Sequence, residues 1–168
     1  KAFTSSMKDF SSEWTLGTGK SVKWAAGVGG KGNAGVAGLI RQTPGAIGYL
    51  NQSYIKGDIK AAALQNLSGE FLKPTMQAGS IALNSINLDK NLAGKNPNPT
   101  DRGAYPIATL TWVLAYETGN GSKASSIKET LNYLLSDKAQ NEAQTLGFIP
   151  LRGEILNQAR AAVKRIEP

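Results

Sequence analysis

Apolar residues recur at helical spacing near the start of the chain. Phe3, Met7, Phe10 and Trp14 are separated by four, three and four positions, which places them on one face of a helix. Gly17 follows and is expected to end this helix, because glycine disfavours helical continuation. The pattern therefore predicts an amphipathic helix over residues 3–14 that buries an aromatic face.

The same periodicity predicts five further helices. One is expected to begin at Asn33, whose side chain suits an N-cap, and another covers residues 74–86. Three more helices are predicted in the last third of the chain. The first is headed by the capping box of Ser126 and Glu129, and the second covers about residues 137–147. The third carries an apolar face of Ile155, Ala159, Val163 and Ile166.

Other stretches have the composition of β-strands. These are residues 20–26, 46–50, 61–66 and 105–116. The last is the strongest, because Thr, Trp, Val, Leu and Tyr dominate it. The first fifty residues thus read helix–strand–helix–strand, which favours the α/β class. Residues 89–103 are rich in Asn and Pro and predict a loop, the natural boundary between two lobes.

Composition removes most catalytic chemistry. The 168 residues include neither histidine nor cysteine, which excludes Ser-His-Asp and Cys-His catalysis, imidazole ligands, disulfides and thiolate metal sites. The twelve carboxylates form no D-x-D or E-x-x-E cluster, so no metal site is predicted. No catalytic residue and no cofactor are predicted, and the protein is not expected to be an enzyme.

The positive charge is dispersed. Nineteen Lys and Arg against twelve Asp and Glu give a net charge of +7, yet no three basic residues are consecutive. No aromatic residues lie between basic ones in the manner of RNA-recognition motifs, so no nucleic-acid partner is predicted. The charge favours a solubilising surface, and it can also steer anions toward a cleft.

Two glycine motifs suggest phosphate chemistry. Gly17-Thr18-Gly19-Lys20-Ser21 is similar to the end of a P-loop, but Trp14 occupies the place of the motif's first glycine. Gly27-x-Gly29-x-x-Gly32 matches the dinucleotide fingerprint between a predicted strand and a predicted helix. The acidic residue required about twenty positions later is missing, because Asp58 comes too late. A nucleotide-dependent enzyme using this turn remains the alternative function, and the turn also suits another anion.

The aromatic residues are expected in the core. This applies to Phe3, Phe10 and Trp14, and equally to Trp24 and Trp112. If Trp14 is fully buried, its replacement by Ala should cost about 3–5 kcal/mol. Asp101 and Arg102 in the predicted loop are expected to be solvated charges, because exposed ion pairs contribute little.

Five separated segments resemble one family, the phosphate-binding proteins of bacterial phosphate-specific ABC importers. In chain order they are Val22-Lys23-Trp24, Gly27-Val28-Gly29-Gly30-Lys31-Gly32-Asn33, Pro44-Gly45-Ala46-Ile47-Gly48-Tyr49, Tyr105-Pro106-Ile107 and Gly147-Phe148-Ile149-Pro150-Leu151. The resemblance extends over essentially all of the chain. It implies a two-lobed α/β fold of the periplasmic-binding-protein type (type II), with one desolvated phosphate in the cleft.

The resemblance also implies where the chain belongs in that fold. The family's ligand loop, an Arg-x-Asp-Gly-Ser-Gly-Thr type of run, is expected immediately before the helix that begins near Phe3, so the chain corresponds to the C-terminal half. Residues 1–107 would form most of the second lobe, and residues 108–168 would return to complete the first. None of the family's phosphate ligands falls on a residue of this chain. Gly30, Lys31, Gly32 and Asn33 would line the cleft or support it, and the first helix would direct its N-terminus at the phosphate.

The function implied by the resemblance is the binding of inorganic phosphate and its delivery to a membrane ABC importer. The implied partners are inorganic phosphate, the N-terminal half of the same protein and the permease. The implied location is the periplasm or the cell envelope. A third hypothesis is a fragment that folds only with its N-terminal half, which would expose an oversized apolar patch.

Overall fold

The computed structural model describes residues 2–19 and 21–168. In this part of the chain six α-helices and one two-stranded sheet are joined by long connections without regular secondary structure, apart from two short 3-10 turns. The helices are α1 Ala2–Phe10, α2 Gly32–Gln42, α3 Met76–Asn84, α4 Ala124–Leu134, α5 Asp137–Thr145 and α6 Gly153–Lys164. The strands are β1 Leu64–Gln65 and β2 Phe71–Leu72, and 3-10 turns span Gln52–Tyr54 and Gly121–Lys123. Over the described ranges no helix is long and apolar enough to cross a membrane.

The six predicted helices are confirmed, with changed ends. α1 stops at Phe10, so Trp14 lies beyond the helix that its spacing predicted. Two helices begin at side-chain N-caps of the expected chemistry. Thr75 Oγ1 accepts a hydrogen bond from the Ala78 amide at 3.1 Å and begins α3, while Ser136 Oγ accepts one from the Ala139 amide at 3.2 Å and begins α5.

Two predicted N-caps are wrong. Asn33 is the second residue of α2, whose N-cap is Lys31, because the Asn33 side chain is engaged elsewhere in the fold. Ser126 is the third residue of α4, whose N-cap is Lys123. The 3-10 turn Gly121–Lys123 runs directly into α4, so helical winding has already begun before Ser126 is reached.

Of the predicted strands, only residues 61–66 contain one. β1 pairs with β2 as an antiparallel hairpin in which Leu64 lies opposite Leu72 and Gln65 opposite Phe71. Residues 21–26, 46–50 and 105–116 are not strands, and Lys20 of the first prediction lies outside the described residues. A strand needs a neighbour that takes up its N–H and C=O groups. Strand-forming composition without such a neighbour leaves these segments outside any sheet.

The buried residues come mainly from α3, α6 and the loop between α3 and residue 107. The apolar members include Ala78, Ala82, Leu83, Ile86, Ala104, Ile155, Leu156, Val163 and Ile166. Gly79 of α3 lies against the side chain of Ile149, where a Cβ would overlap the Ile149 Cδ1 atom. The connection before α6 is thereby packed on α3.

The predicted aromatic core is largely wrong. Phe10 is 54% exposed, and Trp24 and Trp112 are 42% and 43% exposed. Phe3 and Trp14 are half-buried, so the condition attached to the Trp14→Ala estimate, full burial, does not hold. These side chains belong to segments that lie on the surface of the described structure, where hydrophobic spacing alone cannot bury them.

A candidate anion site at the start of two helices

The four residues predicted to support the site lie together where the glycine-rich turn enters α2; they are Gly30, Lys31, Gly32 and Asn33. Lys31 is the N-cap, and its side chain makes no capping hydrogen bond. The first N–H groups of a helix have no intrahelical acceptor, so this turn presents donors at the positive end of the α2 dipole. Lys31, Gly32 and Asn33 are exposed to solvent. The turn therefore has the chemistry of an anion-binding helix start.

The glycines of this turn have separate physical roles. Gly27 and Gly32 adopt φ values of +104° and +63°, which other residues rarely reach. Gly30 is required for close packing, because a Cβ there would lie 2.5 Å from the Val36 amide nitrogen and 2.7 Å from the Gly35 carbonyl carbon. The incoming chain thus rests directly on the backbone of the first turn of α2.

Asn33 ties the start of α2 to a distant part of the chain. Its Oδ1 atom accepts a hydrogen bond from the Asn51 amide at 2.9 Å. The Asn51 side chain in turn accepts hydrogen bonds from the amide and the hydroxyl of Ser53, each at 2.9 Å. The function of Asn33 is therefore to hold residue 51 beside the helix start, which explains why it does not act as the N-cap.

The start of α1 is tied to the same extended stretch. The ring of Phe3, the second residue of α1, stacks on the ring of Tyr49 with centroids 4.4 Å apart and planes 5° from parallel. Trp24 packs against both rings, at 6.4 Å from Phe3 and 5.8 Å from Tyr49. Gly48 lies on α2, where a Cβ would come within 3.1 Å of the Val36 Cγ1 atom.

These contacts bring two helix starts into one neighbourhood. Tyr49 holds the start of α1 and Asn51 holds the start of α2, and the two residues are separated by roughly 7 Å of extended chain. The positive end of each helix dipole lies at its start, and Lys31 adds a positive charge at the start of α2. Such an arrangement can attract and orient a small oxyanion.

Sequence reasoning missed the hydroxyl contacts of α1. Ser6 is buried, and its hydroxyl lies 2.7 Å from the carbonyl oxygen of Pro97 and 3.1 Å from that of Pro106. Thr4, also buried, accepts a hydrogen bond from the Gly19 amide at 3.2 Å. No spacing rule marks these residues, because they lie off the apolar face that the periodicity detects. Ser6 fixes α1 against the loop that leads to residue 107, and Thr4 ties α1 to Gly19.

A second polar cluster lies at that loop. The Glu70 carboxylate accepts a hydrogen bond from the Gly103 amide at 2.6 Å, and this bond, with those from Arg102 and Ser68, holds the pKa of Glu70 below its usual value. Arg102, predicted to be a solvated charge, pairs with Glu70 at 3.2 Å while its own side chain is 87% exposed. Burial raises the pKa of Tyr105 next to this loop. Over the described ranges no three acidic side chains are grouped to hold a metal ion.

The structure around Gly27–Gly32 is not that of a dinucleotide-binding turn, which the alternative function requires. A dinucleotide fingerprint requires a strand that ends at the first glycine, and residues 21–26 form no strand. Lys31 lies inside the turn that would have to receive a pyrophosphate. The glycine spacing is explained by the close approach of Gly30 to α2 and by the φ values of Gly27 and Gly32.

Comparison with known proteins gives consistent matches. The chain is 31% identical over 192 residues to the phosphate-binding protein PstS of Methanocaldococcus jannaschii, a match that covers 98% of this chain and 48% of that protein. It is 33% identical to the PstS protein of Xylella fastidiosa strain Temecula1, covering 95% of this chain and 45% of that protein. It is 29% identical to the PstS protein of Haemophilus influenzae, a match that covers 96% of this chain and 50% of that protein. No protein-family model matches the chain.

The matched region is the C-terminal half of these relatives. The chain spans about half the length of the curated relatives it matches. The nucleotide-dependent enzyme receives no support from these matches.

Proposed function

The chain belongs to the family of PstS phosphate-binding proteins, as the five-segment resemblance predicted, and on this premise we propose that it forms part of a protein that binds inorganic phosphate. The relatives are described as phosphate-binding proteins. The observation in this chain that supports the proposal is the pair of helix starts held together by Tyr49 and Asn51. Two positive helix ends, one of them headed by Lys31, favour a dianion such as hydrogen phosphate.

The role of this chain at the site is to support and orient the anion. No carboxylate or arginine is present in the segment from Gly27 to Asn33, and the family's main ligand loop has no counterpart on a residue of this chain. The Gly30–Asn33 turn lines the cleft, and α1 directs its N-terminus toward it. The remaining phosphate contacts come from the N-terminal half of a PstS-type protein. Selection against sulfate belongs to that half, because it needs an acceptor for the phosphate proton.

The wider setting follows from the same premise. The complete protein has the two-lobed periplasmic-binding-protein fold, in which residues 1–107 form most of the second lobe and residues 108–168 complete the first. It is a transport binding protein and no enzyme. It resides in the periplasm or at the cell envelope and delivers phosphate to the membrane permease of an ABC importer.

Isothermal titration calorimetry tests phosphate binding. We join the unmatched N-terminal half of the Methanocaldococcus jannaschii relative in front of this chain, and titrate the fusion and the chain alone with phosphate and with sulfate. The fusion is expected to bind phosphate and to ignore sulfate, while the chain alone binds neither. The full-length relative serves as the positive control. A correctly folded fusion that ignores phosphate contradicts the proposal.

A charge reversal tests the position of the site. Lys31→Glu in the fusion should weaken phosphate binding by about tenfold, because a negative charge replaces a positive one near the anion. The substitution adds an acidic group to the start of α2, which favours the helix, so lost binding cannot be ascribed to a lost helix. Lys8→Glu, at the opposite end of α1, makes the same change in net charge and should leave the affinity within about twofold. Equal losses in the two variants would contradict the site.

A further inference from the structure

Asn120 is the only asparagine in the sequence that is followed by a glycine. Glycine has no side chain, so the backbone nitrogen of Gly121 is open to reaction with the carboxamide that precedes it. Such a pair can lose ammonia when this nitrogen bonds to the Cγ atom of the asparagine and closes a five-membered imide ring. The sequence therefore indicates a reactive position that has no part in the proposed function.

The side chain of Asn120 bridges two stretches that are far apart in the chain. Its Nδ2 group donates one hydrogen bond to the Tyr116 carbonyl oxygen at 3.0 Å and one to the Glu167 carbonyl oxygen at 2.8 Å. A carboxamide nitrogen carries two N–H groups, so both of its donors are used. The group that would leave in the reaction is therefore the group that the fold holds.

Two backbone hydrogen bonds join the same stretches. The Gly119 N–H donates to the Pro168 carbonyl oxygen at 3.0 Å, and the Glu167 N–H donates to the Glu117 carbonyl oxygen at 2.7 Å. The side-chain bridge and these backbone bonds therefore close the chain on itself at a single place.

The set of bonds between residues 116–120 and 165–168 forms a clasp. Ile166 belongs to it and is buried, at 5% exposure, so the clasp also covers an apolar side chain. Opening the clasp would release residues 165–168 from the rest of the fold and bring Ile166 into water, which has a cost in free energy. The closed form is therefore the stable one, and the open form is a minor state.

The backbone of Asn120 is arranged against ring closure. Its ψ is −12°, so the Gly121 nitrogen eclipses the backbone nitrogen of Asn120 about the Cα–C bond and lies away from Cβ. The imide ring contains Cβ, Cα, the carbonyl carbon and the Gly121 nitrogen, and these four atoms must come near one plane before it closes. The Lys123 N–H donates to the Asn120 carbonyl oxygen at 3.1 Å and holds the present conformation. The reaction therefore requires that the segment open first.

Deamidation would reverse the hydrogen-bonding character of the bridge. A carboxylate accepts hydrogen bonds and donates none. In the place of the Asn120 carboxamide it would face the carbonyl oxygens of Tyr116 and Glu167, which are acceptors as well. The bridge therefore cannot form again once the nitrogen has been lost.

We propose that Asn120 is a site of spontaneous deamidation that reacts only while the clasp is open, and that the product keeps the clasp open. The Gly121 nitrogen bonds to Asn120 Cγ and passes its proton, by way of water, to Nδ2, which leaves as ammonia. A water molecule then opens the imide at one of its two carbonyl groups and leaves aspartate or isoaspartate at position 120. Water is the one co-reactant, and neither phosphate nor a partner chain takes part.

Tryptic peptide mapping tests the site. The peptide of residues 103–123 contains Asn120 and no other asparagine or glutamine, so replacement of NH2 by OH in this peptide reports Asn120 alone. The chain is incubated in mildly alkaline buffer with and without guanidinium chloride. Deamidation should be at least about tenfold slower without the denaturant, because only the open clasp reacts. Equal rates in the two conditions, or no deamidation in either, would overturn the proposal.

Two variants separate opening of the clasp from unfolding of the whole chain. Ile166→Val trims the buried side chain of the clasp, while Thr75→Ala removes the N-cap of α3, and the two losses of stability are similar. Ile166→Val should accelerate deamidation of the folded chain by about three- to tenfold, whereas Thr75→Ala should change the rate by less than about twofold. Equal acceleration in both variants would show that the reaction proceeds from the unfolded chain, and the clasp would not control it.

The Asn120→Asp variant tests the effect of the product. The amides of Gly119 and Glu167 donate hydrogen bonds within the clasp, and in this variant their hydrogen exchange, followed by NMR, should be about tenfold faster than in the wild type. Asn120→Ala removes the donor without adding a charge and should give an intermediate rate. Wild-type exchange in the Asn120→Asp variant would show that the carboxylate leaves the clasp closed, and would refute the lasting effect of the modification.

Discussion

At the scale of single residues, the glycine-rich turn shows how one sequence pattern serves several purposes. Gly30 lies so close to the first turn of α2 that a methyl group would sit 2.5 Å from the Val36 nitrogen. The obstacle is backbone, which cannot rotate aside as a side chain does. We predict that Gly30→Ala lowers the free energy of unfolding by about 1–3 kcal/mol, measured from the midpoint of urea denaturation.

Gly29 supplies the matched control for this substitution. It is the neighbouring residue, it has no positive φ, and a Cβ built on it meets no atom within 4 Å. Gly29→Ala should therefore be neutral or should stabilise the chain by up to about 1 kcal/mol, because alanine restricts the unfolded chain. If both variants lose the same stability, the turn tolerates no side chain at all and the contact of Gly30 with α2 is not the reason.

At the scale of elements, helix starts are decided by the atoms that reach the free N–H groups. Thr75 accepts from the Ala78 amide, whereas Ser126, the capping residue expected from sequence, is already inside α4. We predict that Thr75→Ala costs about 1 kcal/mol of stability through the lost cap of α3. Ser126→Ala should stabilise α4 by up to about 0.5 kcal/mol, because alanine is the better helix former.

The opposite signs of these two changes make the comparison informative. Thermal unfolding followed by circular dichroism at 222 nm measures both variants under identical conditions. A destabilised Ser126→Ala variant would mean that α4 begins at Ser126 after all, and that the capping box operates as the sequence predicted.

The contact between the β1–β2 hairpin and the loop at residues 101–104 is sensitive to pH. Glu70 accepts from the Gly103 amide, and its pKa is held below the ordinary value of 4.5. The unfolded chain therefore takes up the proton more readily than the folded one. The stability due to this carboxylate is present above about pH 4.5 and is lost as the pH falls through the lower pKa of the folded state.

Substitution of Glu70 isolates that contribution. Glu70→Gln should reduce stability at pH 6 and should flatten the decline in the denaturation midpoint between pH 5 and pH 3. Glu129→Gln, at an exposed position of α4, is the control and should retain the wild-type decline. An identical pH profile in the Glu70→Gln variant and the wild type would show that the hydrogen bond from Gly103 does not carry the effect.

Helices were predictable from this sequence to a degree that strands were not. The spacing of apolar residues located all six helices, because a helix satisfies its hydrogen bonds within its own segment. Residues 46–50 and 105–116 have strand composition, but a strand depends on a partner strand whose distance along the chain is not fixed. Ile47 is 98% exposed and Leu114 95%, so β-propensity alone predicted strands at residues that the structure leaves outside any sheet.

The candidate site was predictable in its glycines and not in its connections. Gly30, Lys31, Gly32 and Asn33 were expected at a helix start and are found at the start of α2. The hydrogen bond from Asn51 to Asn33 and the stacking of Phe3 on Tyr49 link residues that are 18 and 46 positions apart. No local pattern encodes such pairs. Whether the turn lines a phosphate cleft stays a prediction.

At the scale of the whole molecule, the last third of the chain is joined to the middle third by packing. Gly79 of α3 contacts Ile149. A Cβ added to Gly147 would lie 3.1 Å from the Cα atom of Ser53. The groove of about 300 Å³ between residues 84–88 and the start of α6 lies along the same junction. These contacts link residues on both sides of position 107, the proposed point at which the chain passes between lobes.

Packing across this junction should make the middle and last thirds unfold together. Ile149 is half-buried against α3, so Ile149→Ala should lower stability by about 2 kcal/mol, near the lower limit for isoleucine truncation. The loss should appear equally in hydrogen exchange of α3 and of α6, because the same contact supports both. Leu146→Ala, at a 62% exposed position three residues earlier, should change stability by less than about 0.5 kcal/mol. If Ile149→Ala accelerates exchange in α6 and leaves α3 unchanged, the two parts open independently, and the returning segment is held to the rest by the chain connection alone.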